Sequence, residues 1–312
     1  MNYADLQPLP ERPLVSVIVP SYNQGDYIRE TIESCLSQDY RPIEIVVVDG
    51  ASTDGTLEVL HSYDDCEELE WISEPDNGPV DAVNKGLGLV SGEIGLIQSA
   101  DDLSAEGAFS RAVEVFGKNA SCGLVFGEVK TIDADGEILG HDHTGPGTAA
   151  ALLSRRTYAP QPATFFRVGL ARELGGWDER FPYCPDTDLW FKIALSSDVR
   201  KVDAVLGYTR KHSCQRDKET ARVFNSYNRM IRESEYLQSA PVHLRWAASA
   251  GRELLKLRYN PGLSDLAVCR ALWKAVLLHP PLILGHVPLH RLVPGYFRLA
   301  GVAGKIKRVF MR

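Results

Sequence analysis

Three groups of carboxylates in this 312-residue chain stand where acids can do chemistry. Asp49 closes the β-branched run IEIVVV and opens the turn-rich DGASTDG. An acid there can accept hydrogen bonds from a base or a ribose, or can simply order the turn. Asp101 and Asp102 follow the apolar run at 94–97. Adjacent carboxylates repel one another unless a cation sits beside them. A divalent metal carrying a diphosphate is one resolution, since Mg²⁺ takes one or two carboxylates plus phosphate oxygens. Capping a helix that begins near Ser104 is the other. Asp186 and Asp188, in YCPDTDLWFKI, precede an aromatic-rich helical pattern. An acid in that place serves as a general base or as a charge on a helix first turn.

The surrounding pattern says how these acids are brought together. Val15–Val19 reads as a buried strand ending at Pro20, and Ile43–Val48 as a second ending at Asp49. Between them Ile28, Thr31, Ile32, Cys35 and Leu36 keep helical spacing. Ser52 and Asp54 are expected to cap a helix through about His61. A short strand at Trp71–Ile72, a helix over Val80–Leu89 and a strand over Ile94–Ile97 follow. Alternation of this kind predicts a mostly parallel sheet wrapped by helices. Ligands of such sheets lie beyond the carboxyl ends of the strands, so Ser21–Asn23, Asp49 and Ser99–Asp102 should converge. Further strands are expected over 124–132, 163–167 and 201–208, with a hairpin turn at 134–138. Helices are expected from Val168 to Gly175-Gly176, over 187–195, and from 216 to 237, with helical sequence broken by prolines beyond.

Composition limits the choices. With 44% hydrophobic and 24% charged residues the chain can build a core and is not disordered. The net charge of −7 is unevenly spread: residues 241–312 hold twelve Lys/Arg against Glu253 and Asp265, a balance of +10 that leaves −17 for residues 1–240. An acidic body argues against nucleic acid as a partner, whereas a basic, aromatic-containing tail (Trp273, Tyr296, Phe297) suits either an anionic membrane surface or a solvated appendage. Six scattered cysteines without a CxxC, no leader-like start and no run of about 18 apolar residues predict a cytoplasmic chain, at most peripheral to the membrane.

Residues 15–56, VSVIVPSYNQGDYIRETIESCLSQDYRPIEIVVVDGASTDGT, resemble the opening of the inverting family-2 glycosyltransferases of GT-A fold, the type that builds bacterial cell-surface polysaccharide. The likeness continues through SEPDNGPVDAVNKGLGLVSGEIGLIQSADD (73–102) and QPATFFRVGLARELGGWDERFPYCPDTDLWFKIA (161–194). It implies an α/β GT-A domain over 1–215, with a nucleotide-binding, Rossmann-like sheet, and a helical basic extension over 216–312. Within the domain, 14–102 would hold the donor and 103–215 the acceptor. By position, Pro20, Tyr22 and Asn23 correspond to the loop that sandwiches the base, and Asp49 to the acid that reads it, usually uracil. Asp76, Asn84 and Lys85 match donor contacts, as do Ser99, Ala100, Asp101 and Asp102 of the metal motif. Asp101 and His212 would hold Mn²⁺ or Mg²⁺, and Asp186 would be the catalytic base. Trp177, Asp178 and Asp188 are candidates for the acceptor side, with Asp188 also a rival for the base.

Two positions depart from the family pattern. Ser99 replaces the first acid of the metal motif, and Pro185 precedes Asp186 where many members carry Glu. The implied reaction moves a sugar from a nucleotide donor, usually UDP-linked, to a hydroxyl of a glycan or lipid-linked glycan, with inversion. The alternative is a non-catalytic descendant that binds nucleotide-sugar or carbohydrate. A dinucleotide oxidoreductase is disfavoured because PSYNQG is no GxGxxG turn.

Overall fold

The computed structural model describes residues 6–212, 220–259 and 263–280. Its strands are β1 (Val15–Ser21), β2 (Ile43–Asp49), β3 (Leu69–Ser73), β4 (Ile94–Ile97), β5 (Leu103–Ser104), β6 (Cys122–Ile132), β7 (Ile138–Asp142), β8 (Thr164–Arg167) and β9 (Asp198–Arg210). Its helices are α1 (Ile28–Leu36), α2 (Thr56–His61), α3 (Pro79–Leu89), α4 (Ala108–Lys118), α5 (Ala149–Leu153), α6 (Val168–Glu173), α7 (Pro185–Ser196), α8 (Thr220–Glu233), α9 (Glu235–Ser239), α10 (Val242–Tyr259) and α11 (Asp265–Leu278).

One sheet runs β3-β2-β1-β4-β8-β6-β9-β5, with β7 pairing on β6. The first four strands are parallel, in a register that sets Ser21 beside Asp49 and Asp49 beside Ser73. The carboxyl ends of β1, β2 and β3 therefore finish level, and β4 stops three residues short, its Ile97 beside Ile18. β8 runs antiparallel to both β4 and β6, and β9 returns parallel to β6. Side chains alternate across a strand, and the core divides accordingly. Val15, Val17, Val19, Ile45 and Val47 face one layer, where they meet Ile28 and Ile32 of α1 and Phe109 and Phe116 of α4. Ile18, Val46 and Val48 face the other, with α3, α7, α8 and α10. Both faces are covered, which is why β1 and β2 read as unbroken apolar runs.

Several expectations shift on contact with the structure. Asp54 does serve the start of α2, accepting from Thr56 N–H at 2.9 Å, but Ser52 turns back to Asp49 instead. The helix expected to begin near Ser104 begins at Ala108 as α4, with Gly107 rather than Asp101 or Asp102 at its N-cap, because residues 103–104 first pair with β9. The expected helix over 216–237 is seen from Thr220, is interrupted at Ser234 and resumes as α9, while its first four residues lie outside the described ones. The helices assigned to a C-terminal extension share the main core: Tyr227, Met230, Ile231, Leu244, Ala247 and Leu255 pack with Trp190 and Phe191 of α7. Tyr296, Phe297 and most of the basic tail lie outside the described residues. Among the described residues no helix is long and apolar enough to cross a membrane.

Candidate active site

The carboxyl ends of β1, β2 and β4 open onto a cavity of about 1230 Å³, larger than common ligand pockets of roughly 300–1,000 Å³. Pro20, Tyr22, Gly50, Asp76 and Ser99 through Asp102 line it on this side. Tyr22 stands 59% exposed, its ring uncommitted to the core. Gly50 is needed for the approach of Asp76, since a Cβ there would lie 2.9 Å from the Asp76 carboxylate.

Asp49 and Asn23 do not line the cavity; they build the loop behind it. Asp49 is fully buried and accepts hydrogen bonds from Ser52 N–H, Ser52 Oγ–H and Ser73 Oγ–H. Asn23 adopts φ of 52°, donates its N–H to Ser52 Oγ at 2.7 Å and accepts from Thr53 N–H at 2.9 Å. The loop after β1 is thereby clasped to the loop after β2 at Asn23, the residue next to Tyr22. Asn84 and Lys85 also sit off the cavity wall. The Asn84 amide donates to Trp177 C=O and accepts from Trp177 N–H, both at 2.9 Å, joining α3 to the turn before α7. Lys85 pairs with Glu74 at 2.9 Å and Asp81 at 3.5 Å.

Beyond β4 the acids are held in fixed and different attitudes. Asp101 Oδ2 meets His212 Nε2 at 2.9 Å, and both line the cavity. Asp102 is turned inward, accepting from Arg210 N–H at 2.9 Å. Ser99 Oγ accepts from Gln161 Nε2 at 3.0 Å. The fully buried Arg210 side chain donates to the carbonyls of Asp101 and Ala134 and pairs with Glu30 at 2.6 Å. His212 is placed because β9 runs straight into it, and the Tyr27 ring lies 4.9 Å away, centroid to centroid. Asp101 and His212 thus converge their ligand atoms at one point of the wall. A carboxylate and an imidazole, with the remaining positions left to phosphate and water oxygens, are a donor set that fits a divalent metal ion.

A different set of potential metal ligands lies on the β6–β7 hairpin. Glu128, His141 and His143 hold their ligand atoms within 4.8 Å of one another, and Lys201 Nζ stands 3.3 Å from the second Glu128 oxygen.

Across the cavity, α7 settles the two rival acids in space. Asp186, in its first turn, lines the cavity. Asp188 does not: it is 1% exposed and pairs with Lys192 at 2.6 Å, one turn along the same helix. Burial holds its carboxyl above the ordinary carboxylate range despite that ammonium. Asp188→Asn should therefore leave turnover within about threefold of wild type while lowering the melting temperature, because removing one member of a buried pair strands the other. Nucleotide release assays beside thermal melts would check it; a collapse of turnover in a fully folded variant would move the base to Asp188.

The acceptor candidates Trp177 and Asp178 are likewise away from the cavity. Trp177 is 5% exposed within the core, held by Asn84, and Asp178 closes on Arg180 at 2.7 Å. Trp190, four residues after Asp186, does line the cavity, as do Tyr22, Tyr158 and Phe191. The i, i+4 spacing places Asp186 and Trp190 on one helix face, a signal present in the sequence. Arg155, Arg156, Lys211 and Arg258 also line the cavity. No local pattern marks them, for they come from a loop, a strand end and the last turn of α10.

A parallel sheet with a nucleotide-sized cavity at its carboxyl ends, extended by antiparallel strands, defines a GT-A architecture. The structure of Staphylococcus aureus TarS with UDP-GlcNAc superposes with a TM-score of 0.65 at 20% identity, over 93% of this chain and 87% of that one. A Pyrobaculum calidifontis mannosyltransferase with GDP-Man and Mn²⁺ superposes at 0.62 and 22% identity, covering 100% and 86%. Residues 16–170 match the model of glycosyl transferase family 2. An uncharacterized glycosyltransferase of Mycobacterium tuberculosis is 31% identical over 227 residues, 70% of this chain and 83% of its own length. The chain belongs to glycosyl transferase family 2. Chondroitin synthase of Escherichia coli is 28% identical over 263 residues, 83% of this chain but 36% of the relative. A Rickettsia bellii glycosyltransferase is 28% identical over 72% of this chain, which spans 35% of that protein.

Proposed function

We propose that this glycosyltransferase moves a sugar from a nucleotide-diphosphate donor, UDP-linked, to a hydroxyl of a glycan or lipid-linked glycan, with inversion. The observation that carries the reading is that one cavity is lined both by the Asp101–His212 pair and by Asp186. In this reading the base lies against Tyr22 and Pro20, while Asp49, Asn23 and Asn84 act as positioning residues. Asp76 and Ser99 through Asp102 border the sugar and diphosphate. Asp101 and His212 hold Mn²⁺ or Mg²⁺, which when bound neutralises charge on the departing diphosphate. Asp186 accepts the proton of the acceptor hydroxyl as its oxygen attacks the anomeric carbon. One displacement inverts the centre, and no covalent glycosyl-enzyme is required.

Residues 14–102 serve the donor and 103–215 the acceptor, with helices from the 216–312 extension completing the acceptor side. The relative named chondroitin synthase supports a glycan acceptor, and the basic tail supports a cytoplasmic enzyme working beside the membrane. A panel of UDP-sugars tests the reading. UDP release should require Mn²⁺ or Mg²⁺ and cease with chelator. Tight UDP binding without turnover on any acceptor would favour the non-catalytic descendant instead.

A further inference from the structure

The cavity wall is electrically divided. Where the strands end, its charged side chains include Asp76, Asp101 and Asp102. The stretch supplied by the α5–β8 connection and by α10 carries Arg155, Arg156 and Arg258. Among the described residues these three guanidiniums have no carboxylate partner. Arg156 Nε is buried and meets no hydrogen-bond acceptor. Arg155 is held in the left-handed region at φ 59°, with its guanidinium 5.8 Å from the Tyr227 ring centre. The Tyr158 hydroxyl lies in the field of Arg155, Arg258 and Asp142, the last residue of β7.

Guanidinium stays charged at any physiological pH, and a polar group buried without a partner is costly. Two of the three, Arg155 and Arg156, also run against the −17 balance of residues 1–240. The buried Arg156 Nε is accounted for if an anion completes it when the cavity is filled, and Arg155 and the exposed Arg258 stand on the same wall to share that anion. Arg forks match the paired oxygens of phosphate and carboxylate.

We infer that the Arg155–Arg156–Arg258 wall binds an anionic group of the acceptor, a phosphate or a carboxylate on the glycan or its carrier, while Asp186 meets the accepting hydroxyl. This rests on the glycosyl-transfer reading above. It also gives α10 a part in the site, since Arg258 comes from its last turn, beside Leu254 and Leu255, which line the same cavity.

The test uses the full chain with saturating UDP and Mn²⁺. Three oligosaccharides of equal length, one neutral, one bearing uronates and one bearing phosphodiesters, are titrated calorimetrically. At least one anionic ligand should bind about tenfold tighter than the neutral one, with an advantage that shrinks as salt rises. Which anion wins identifies the source of the charge. The double variant Arg156→Gln/Arg258→Gln should erase the advantage while UDP affinity stays within about twofold, and Arg258→Lys should keep part of it. If that double variant fails to fold, the singly substituted Arg258→Gln and Arg258→Lys carry the comparison. Equal binding of neutral and anionic ligands would overturn the inference. So would a tenfold loss of UDP affinity in the variants, which would assign the arginines to the donor diphosphate. Absence of UDP binding to the wild type would instead defeat the parent reading, and this one with it.

Discussion

Asp186→Asn is expected to lower sugar transfer by about 10²–10⁴-fold, the contribution of a well-placed general base, or roughly 3–5 kcal/mol of barrier. The substitution keeps the size and shape of the side chain and removes only its ability to take a proton. Asp186 sits in the first turn of α7 with Pro185 before it, so the backbone that presents it is preset by the proline ring. UDP affinity should stay within about twofold, because in the proposed arrangement the donor is held by the strand-end loops. Steady-state kinetics with the best acceptor, paired with UDP binding by calorimetry, separate the two effects. A loss of less than about tenfold would mean that another group takes the proton.

Arg210→Ala should be the most damaging substitution outside the reacting groups. The side chain is fully buried and satisfies the carbonyls of Asp101 and Ala134, with Asp133 C=O at 3.4 Å. Each carbonyl left unsatisfied costs about 1–3 kcal/mol, and the cavity vacated by the side chain adds to that. The contact with Glu30 contributes less, since that carboxylate is 55% exposed and screened. A drop in melting temperature on the order of 10 °C follows from a loss of several kcal/mol in a chain of this size. Because the Arg210 side chain also braces the backbone carbonyl of Asp101, metal dependence should weaken in any folded fraction. A melting temperature within about 2 °C of wild type would show that the network is dispensable.

Much of this molecule was legible in its residues, and the pattern of success has physical causes. β1, β2 and β4 announced themselves because both faces are buried, leaving continuous apolar runs. Their ends could be aligned from the general behaviour of parallel sheets, which brought Tyr22 and Asp101 to one place. What stayed hidden was direction. Asp49, Asn23 and Asn84 occupy positions that suggest ligand contact, yet their hydrogen-bonding capacity goes to Ser52, Ser73, Thr53 and Trp177. Spacing cannot tell an acid that lines a cavity from one that ties the loop beside it. Asp188 illustrates the same limit, since only the packing of Lys192 against it shows that it points into protein. Arg155, Arg156 and Arg258 were hidden for another reason: they meet through tertiary contacts between α5, α8 and α10, about a hundred residues apart.

The Asn84–Trp177 clasp bears on attempts to recombine such enzymes. A division into donor and acceptor halves invites chimeras cut near residue 103. Here one amide side chain from the first half satisfies both the N–H and the C=O of a residue in the second, and Gly176 lets it approach so closely that a Cβ there would lie 2.5 Å from Asn84 Oδ1. A foreign second half lacking that glycine-tryptophan turn would leave the Asn84 amide without its matching backbone edge, at about 1–3 kcal/mol per unmet group. The two halves are therefore better exchanged as a matched pair than as interchangeable modules.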